Sequence, residues 1–239
     1  MTDFDCIFDQ PRLDQSDEDG TPGDGRETVA FDEDGPGWFG GWDDEDREPE
    51  PIDLVLPYPN EKQQRFLEST VKYTAFGGAR GGGKSWAVRT KAILLALGYD
   101  GIRLLIVRRT YQELENNHIR ILRPLLHGIA EYRATDRIFT FPNGSTLEFG
   151  YCAADGDMDR YQGAEYDVIF LDECTQLKEQ WMRQFSACLR GVNDFPKRMY
   201  FTCNPGGPGH SYIKRLFIDR RYEPGENPDD YVFIPARVT

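Results

Sequence analysis

Residues Gly78-Ala79-Arg80-Gly81-Gly82-Gly83-Lys84-Ser85 constrain the fold of this chain more tightly than any other stretch. They fit the pattern G-x-x-x-x-G-K-[ST] in full. The apolar, β-favouring run Val71 to Phe76 precedes them, and a helix is expected from Lys84 to Leu97, stopped by Gly98. Glycines allow backbone torsions and close approaches that a Cβ would block. Successive N–H groups then turn inward and meet the positive end of the helix, which makes a cradle for a polyphosphate. In such a cradle Lys84 neutralises the β- and γ-phosphates, and the Ser85 hydroxyl holds Mg²⁺. The strand–loop–helix unit calls for an α/β fold.

The remaining pattern agrees. Asn60 is placed to cap a helix running through Glu61 to Leu67. Arg103 to Val107 reads as a buried strand, and Tyr111 to Leu122 as a helix bent or ended by Pro124. Arg137 to Phe141 and Ser145 to Phe149, joined by Pro142-Asn143-Gly144, predict an inserted β-hairpin. Val168 to Leu171 is a fully apolar strand, Glu179 to Arg190 a helix, Met199 to Cys203 a strand, and His210 to Ile218 a helix. Strands alternating with helices predict a mostly parallel sheet flanked by helices on both faces.

Two carboxylates, Asp172 and Glu173, follow the apolar strand directly. Ligands of open α/β sheets bind at that end of the strands. Beside a P-loop, Asp172 suits the Mg²⁺ shell and Glu173 suits polarisation of an attacking water. A strand entering a surface loop would look the same in isolation; the P-loop upstream favours the functional reading. Thr202 and Asn204 end a second strand, where they would contact the γ-phosphate or the water, although Asn204-Pro205 and Gly206-Gly207 are also ordinary turn chemistry. Arg80, inside the loop, would stabilise transition-state charge in cis, and Arg160 would do so for a neighbouring subunit's nucleotide; a phosphate-positioning or surface role fits either equally well. His118, His127 and His210 show no ligand or triad spacing and are expected to serve packing or solvation.

Charge is distributed unevenly. The first 50 residues hold 18 Asp or Glu against three Arg and no Lys, whereas residues 51 to 239 hold 23 acidic and 25 basic side chains. The net charge of −13 therefore describes an acidic tail, expected to be disordered over residues 1–52, ahead of a near-neutral domain over residues 53–239. Within the tail, Gly37 to Trp42 is either a short docking motif or a chance run of aromatics. The five cysteines form no C-x-x-C pair and read as reduced thiols. No apolar segment is long enough to span a bilayer, so a soluble, intracellular protein with no membrane partner is expected.

The combination of Pro59 to Gln63 before Phe66, the Arg-containing P-loop, Tyr161-Gln162-Gly163, Asp172-Glu173 and Thr202 to Pro205 resembles one family in order and spacing. It is similar to the N-terminal ATPase domain of the large terminase subunit of tailed bacteriophages, over about residues 55 to 239. The resemblance implies a RecA-like (ASCE) P-loop NTPase that hydrolyses ATP with Mg²⁺ to drive double-stranded DNA into a procapsid. It also implies the portal protein and small terminase subunit as partners, a ring-forming homo-oligomer, and the host cytoplasm as its location. Carried over by position, Gln63 would read adenine, Gly78 to Ser85 would bind phosphate, Ser85 and Asp172 would hold Mg²⁺, and Glu173 would activate water. Thr202 to Asn204 would couple hydrolysis to DNA movement, and Arg80 matches the arginine often present in the family's P-loop. The family continues into a nuclease domain where this chain stops at Val238-Thr239, so no nuclease activity is expected of it. A helicase-like or other nucleic-acid-remodelling ATPase is the alternative, and a nucleotide-binding module without turnover is a third reading.

Overall fold

A computed structural model describes residues 54–78 and 81–236. The acidic tail, the Gly37 to Trp42 stretch, and Ala79 and Arg80 lie outside the described residues. The described chain begins with helix α1 (Glu61–Glu68), strand β1 (Tyr73–Gly78), helix α2 (Lys84–Gly98) and strand β2 (Arg103–Arg108). Helices α3 (Tyr111–Leu114) and α4 (Arg120–Leu125) follow, joined by a π-helical turn, Glu115–Ile119. Strands β3 (Glu131–Arg133), β4 (Ile138–Thr140), β5 (Thr146–Tyr151) and β6 (Val168–Leu171) come next, then helix α5 (Glu179–Ala187) and strand β7 (Arg198–Cys203). Helix α6 (His210–Ile213) and strand β8 (Tyr231–Ala236) complete the order.

The eight strands form one sheet in the order β3-β4-β5-β2-β6-β7-β1-β8. The six from β5 to β8 are parallel, and β3, β4 and β5 form an antiparallel meander at one edge. Side chains alternate across a strand, and both faces are covered. Phe76, Leu104, Ile106, Phe170 and Tyr200 pack with α1 and α2 on one face. Ala75, Leu105, Ile169, Leu171 and Phe201 pack with α5 and α6 on the other.

Local chemistry sets the ends of these elements. The Asn60 side chain accepts from the Lys62 and Gln63 amides at 3.1 and 3.0 Å, and Gln63 Oε1 accepts from the Asn60 amide at 2.9 Å, a full capping box on α1. The other end of α1 is closed by buried Lys91, whose ammonium donates to the carbonyls of Phe66, Leu67 and Ser69.

The predicted hairpin is present as β4 and β5, which pair antiparallel, and through β5, parallel to β2, it joins the main sheet. Two expectations change. Helix α5 stops at Ala187 rather than Arg190, since the Cys188 carbonyl turns away to accept from the Tyr166 amide at 2.9 Å. The stretch from Tyr111 runs through the π turn and carries Pro124 in its last turn, with no break before it.

Candidate nucleotide site

Strand β1 delivers Gly78 to the C-terminal edge of the sheet, and α2 starts at Lys84. Gly78 has φ 138°, and a Cβ there would run into the backbone carbonyl of Ala236 on β8. Gly83 caps α2 in the left-handed region at φ 66°, with the Gln63 amide against it. Torsion favours glycine at both positions, and at Gly78 the backbone of Ala236 also leaves no space for a side chain. Lys84 is buried at the helix start; burial lowers its amine pKa, with Cys203, Asp172 and Glu173 acting in the opposite direction.

Strand β6 lies between β2 and β7, so Asp172 emerges at the centre of the sheet edge. It is fully buried. Ser85 Oγ donates to Asp172 Oδ2 at 2.9 Å, Arg108 Nε donates to the same oxygen at 2.7 Å, and His118 Nε2 lies 2.8 Å from it. Thr202 Oγ1 donates to the other oxygen, Oδ1. Burial alone would raise the Asp172 pKa, but the hydrogen bonds of His118 and Thr202 and the charge of Arg108 hold it well below the usual carboxylate range. Burial is also the main influence on His118, whose imidazole is pushed towards the neutral form, with Asp172 opposing.

Glu173 stands in the left-handed region at φ 57°. Its amide donates to Thr202 Oγ1 at 2.9 Å, and its carboxylate lies 3.4 Å from Arg108 Nη2. Asn204 closes the far side: its carbonyl accepts from Thr175 Oγ1 at 3.0 Å, while its side-chain Oδ1 is buried without a partner among the described residues.

A cleft of about 670 Å³ is bordered by Gly78, Gly81, Gly82 and Gly83 and by several of these groups, while Arg108 and His118 lie behind its wall. Of the residues singled out in the sequence, Lys84, Ser85, Asp172, Glu173, Thr202 and Asn204 line this one cleft. Gln63 sits behind Gly83, with Nε2 3.4 Å from the Gly83 carbonyl. Its side-chain amide therefore serves two contacts, this one and the α1 cap. Arg160 is not in the cleft. It donates to Asp157 at 2.7 Å and stacks on Tyr151 at 4.1 Å, in the short helix Asp155–Tyr161.

His118 corrects the sequence reading, because it touches the central carboxylate instead of only filling the core. Its signal is hidden in the π turn, a feature that tends to mark functional positions but has no sequence pattern of its own. Arg108 and Arg89 also escape the sequence reading. Arg108 ends an apolar strand next to the acidic one, a neighbour relation that only the register reveals. Arg89, one turn beyond Ser85, lines the same cleft and donates to the Asn117 carbonyl.

The family model described as Terminase large subunit, T4likevirus-type, N-terminal, matches residues 75–239. No curated protein matches the chain. Among solved structures, the large terminase of a thermophilic bacteriophage superposes with a TM-score of 0.61 at 18% identity, covering 75% of this chain and 46% of that one. That terminase was also solved with ADP and with ATP-gamma-S, at TM-scores of 0.60 and 0.58. The Thermus phage P74-26 large terminase ATPase domain gives 0.52 at 15% identity, over 74% of this chain and 80% of that one. The N-terminal domain of the phi29 DNA packaging ATPase gives 0.50 at 15% identity, over 72% and 94% of the two chains. The present chain spans less than half the length of the thermophilic phage's terminase, and these likenesses establish the fold.

Proposed function

The chain belongs to the family of T4-type large terminase subunits through their N-terminal region, and on that premise we propose that it is an ATP hydrolase that powers double-stranded DNA packaging. One observation carries the proposal. Ser85, at the start of α2, and Asp172, at the end of β6, are joined at 2.9 Å beneath a glycine cradle that opens into the cleft. Hard oxygen donors of this kind suit Mg²⁺, which is commonly held by few protein ligands together with substrate phosphates. Ser85 and Asp172 would hold it, and it would neutralise charge on the β- and γ-phosphates.

The remaining roles belong to the chain itself. Lys84 and the loop amides from Gly78 to Ser85, Ala79 and Arg80 included, bind the phosphates, and Gln63 lies beside the loop to meet the base. Glu173 orients water and takes its proton. Its backbone torsion and its bond to Thr202 hold the carboxylate at the mouth of the cleft. Thr202 and Asn204 couple the state of the γ-phosphate to β7. Arg80 supports transition-state charge from within the loop, and Arg160, half-exposed beside Asp157, serves a neighbouring subunit in a ring. Two kinds of partner follow from this reading: the portal and small terminase proteins, and DNA itself, in the host cytoplasm. The domain assignment is an acidic tail over residues 1–52 ahead of an ATPase unit over residues 53–239.

ATP turnover by the wild type and by Glu173→Ala, with and without duplex DNA, tests the reading. Turnover in the wild type and its loss in the variant, with nucleotide binding retained, is expected. Equal turnover in both would move the catalytic role elsewhere. The helicase-like alternative gains no support from the relatives described above.

A further inference from the structure

The helical stretch after β2 is wound with a π turn over Glu115–Ile119, and His118 reaches from it to the central carboxylate. A π turn spends one more residue than an α turn, and such turns gather at functional positions. His118 and Asp172 are both fully buried, with Nε2 of the ring 2.8 Å from Asp172 Oδ2. The other ring nitrogen, Nδ1, is buried without a partner among the described residues. An orphaned polar atom costs free energy that a leucine at the same place would avoid. The contact made by Nε2 accounts for an imidazole kept there. The turn itself is gripped from α2: Arg89, one turn beyond Ser85, donates to the Asn117 carbonyl. The Asn117 side chain donates in turn to the Glu113 carbonyl at 2.7 Å. One residue of the turn is thus fastened to the helix that carries Ser85, and the next to Asp172.

A carboxylate only accepts, so the ring must carry its proton on Nε2 to bond Asp172. A rigid ring that donates along one line fixes the carboxylate more narrowly than a flexible side chain would. We propose that His118 is a positioning residue for the metal site, aiming the Asp172 carboxylate from the π turn while Arg89 keeps that turn in step with Ser85. The inference rests on the reading of Ser85 and Asp172 as the Mg²⁺ ligands. Mg²⁺ tolerates little departure from octahedral geometry, so two ligands on separate elements must keep a fixed separation. Helix α2 carries one ligand and β6 delivers the other, and the π turn is strapped to both. His118 acts through Asp172 and takes no part in proton transfer to the substrate.

Nitrogen NMR of the full chain reads the imidazole directly, with His118→Gln identifying its signal among the three histidines. A slowly exchanging proton on Nε2 is expected, and a bare Nε2 would overturn the proposal. Mn²⁺ in place of Mg²⁺, titrated with ADP present and followed by electron paramagnetic resonance, reads the metal site without turnover. His118→Leu is expected to weaken Mn²⁺ binding by about tenfold to a hundredfold, with metal-free ADP affinity held within about threefold. His118→Gln, whose side-chain amide donates in place of Nε2, is expected to recover most of that loss. A Leu variant that binds Mn²⁺ like the wild type, or a Gln variant as weak as the Leu variant, would leave His118 a core residue and overturn the proposal. The wild-type nitrogen spectrum tests the donor even where the Leu variant does not fold. Asp172→Asn is read separately. Wild-type Mn²⁺ affinity in that variant would overturn the metal-ligand reading itself, whereas a loss there beside an unaffected Leu variant would sink the proposal alone.

Discussion

Thr202 accepts a hydrogen bond from the Glu173 amide at 2.9 Å and gives its own proton to Asp172. A single hydroxyl at the end of β7 therefore fixes both the backbone of one acid and the carboxylate of the other. Movement of β7 along its axis is felt by both at once.

Thr202→Val keeps the side-chain shape and removes that hydroxyl. It leaves one buried Asp172 oxygen and one amide short of a partner, at a cost of about 1–3 kcal/mol. Nucleotide affinity should change by less than roughly threefold, since the hydroxyl is already engaged by Asp172 and the Glu173 amide, while turnover should fall by about tenfold or more. Paired titration calorimetry and steady-state hydrolysis check this. An unchanged turnover with a lowered melting point would leave Thr202 a purely structural role.

The left-handed torsion of Glu173, φ 57°, costs about 1–2 kcal/mol for a residue with a Cβ. Glycine carries no such penalty, offset in part by its greater freedom when unfolded. Glu173→Gly should thus melt above Glu173→Ala, by an amount equivalent to roughly 1 kcal/mol. Both should lose hydrolysis. The comparison separates strain held for function from the chemistry of the carboxylate, and a Gly variant that melts below the Ala variant would show that the torsion is not strained.

Burial of Lys84 disfavours its own charged form. Lys84→Ala should lose nucleotide affinity by about tenfold to a hundredfold, the scale of one or two charge-assisted hydrogen bonds. Because the wild-type ammonium is held against that burial, the melting temperature of the variant should stay close to that of the wild type. Equal nucleotide affinity in the two proteins would refute the phosphate-loop assignment.

Lys91 supplies a pH dependence far from the cleft. Burial, then the charge of Arg198, lowers its pKa from 10.5 to about 7, with Glu68 opposing. The unfolded chain then holds the proton above pH 7 while the folded chain releases it, so this group makes stability rise with pH from about 7 upward. The slope is at most about 1.4 kcal/mol per pH unit. Denaturation of wild type and Lys91→Met between pH 7 and 9 should show a difference curve of that sign. A flat difference would mean that the carbonyls of α1 keep Lys91 protonated in the fold throughout that range.

The parts of the site visible in the sequence are those whose geometry is local. The run from Gly78 to Ser85 carries its torsional demands in consecutive residues, and Asp172-Glu173 follows an unbroken apolar strand. Arg108 and His118 depend on distant relationships. One needs the register of β2 on β6, and the other needs a π turn that rotates its imidazole inward. Strand β8 escapes because Pro235 breaks the usual strand pattern; at the sheet edge, beyond β1, a missing N–H is tolerated. The end of α5 is overextended in the sequence reading because Cys188 and Leu189 continue its apolar spacing while their backbone pairs with Tyr166. Arg160 fits a turn near the acidic strand in sequence, yet Tyr151 and Asp157 hold it away from the cleft within this chain.

The close fit of Gly78 against the Ala236 carbonyl has a mechanical meaning. With no side chain between them, Gly78 and the end of the edge strand meet backbone to backbone, so a shift of β8 along its axis would bear directly on the start of the glycine loop.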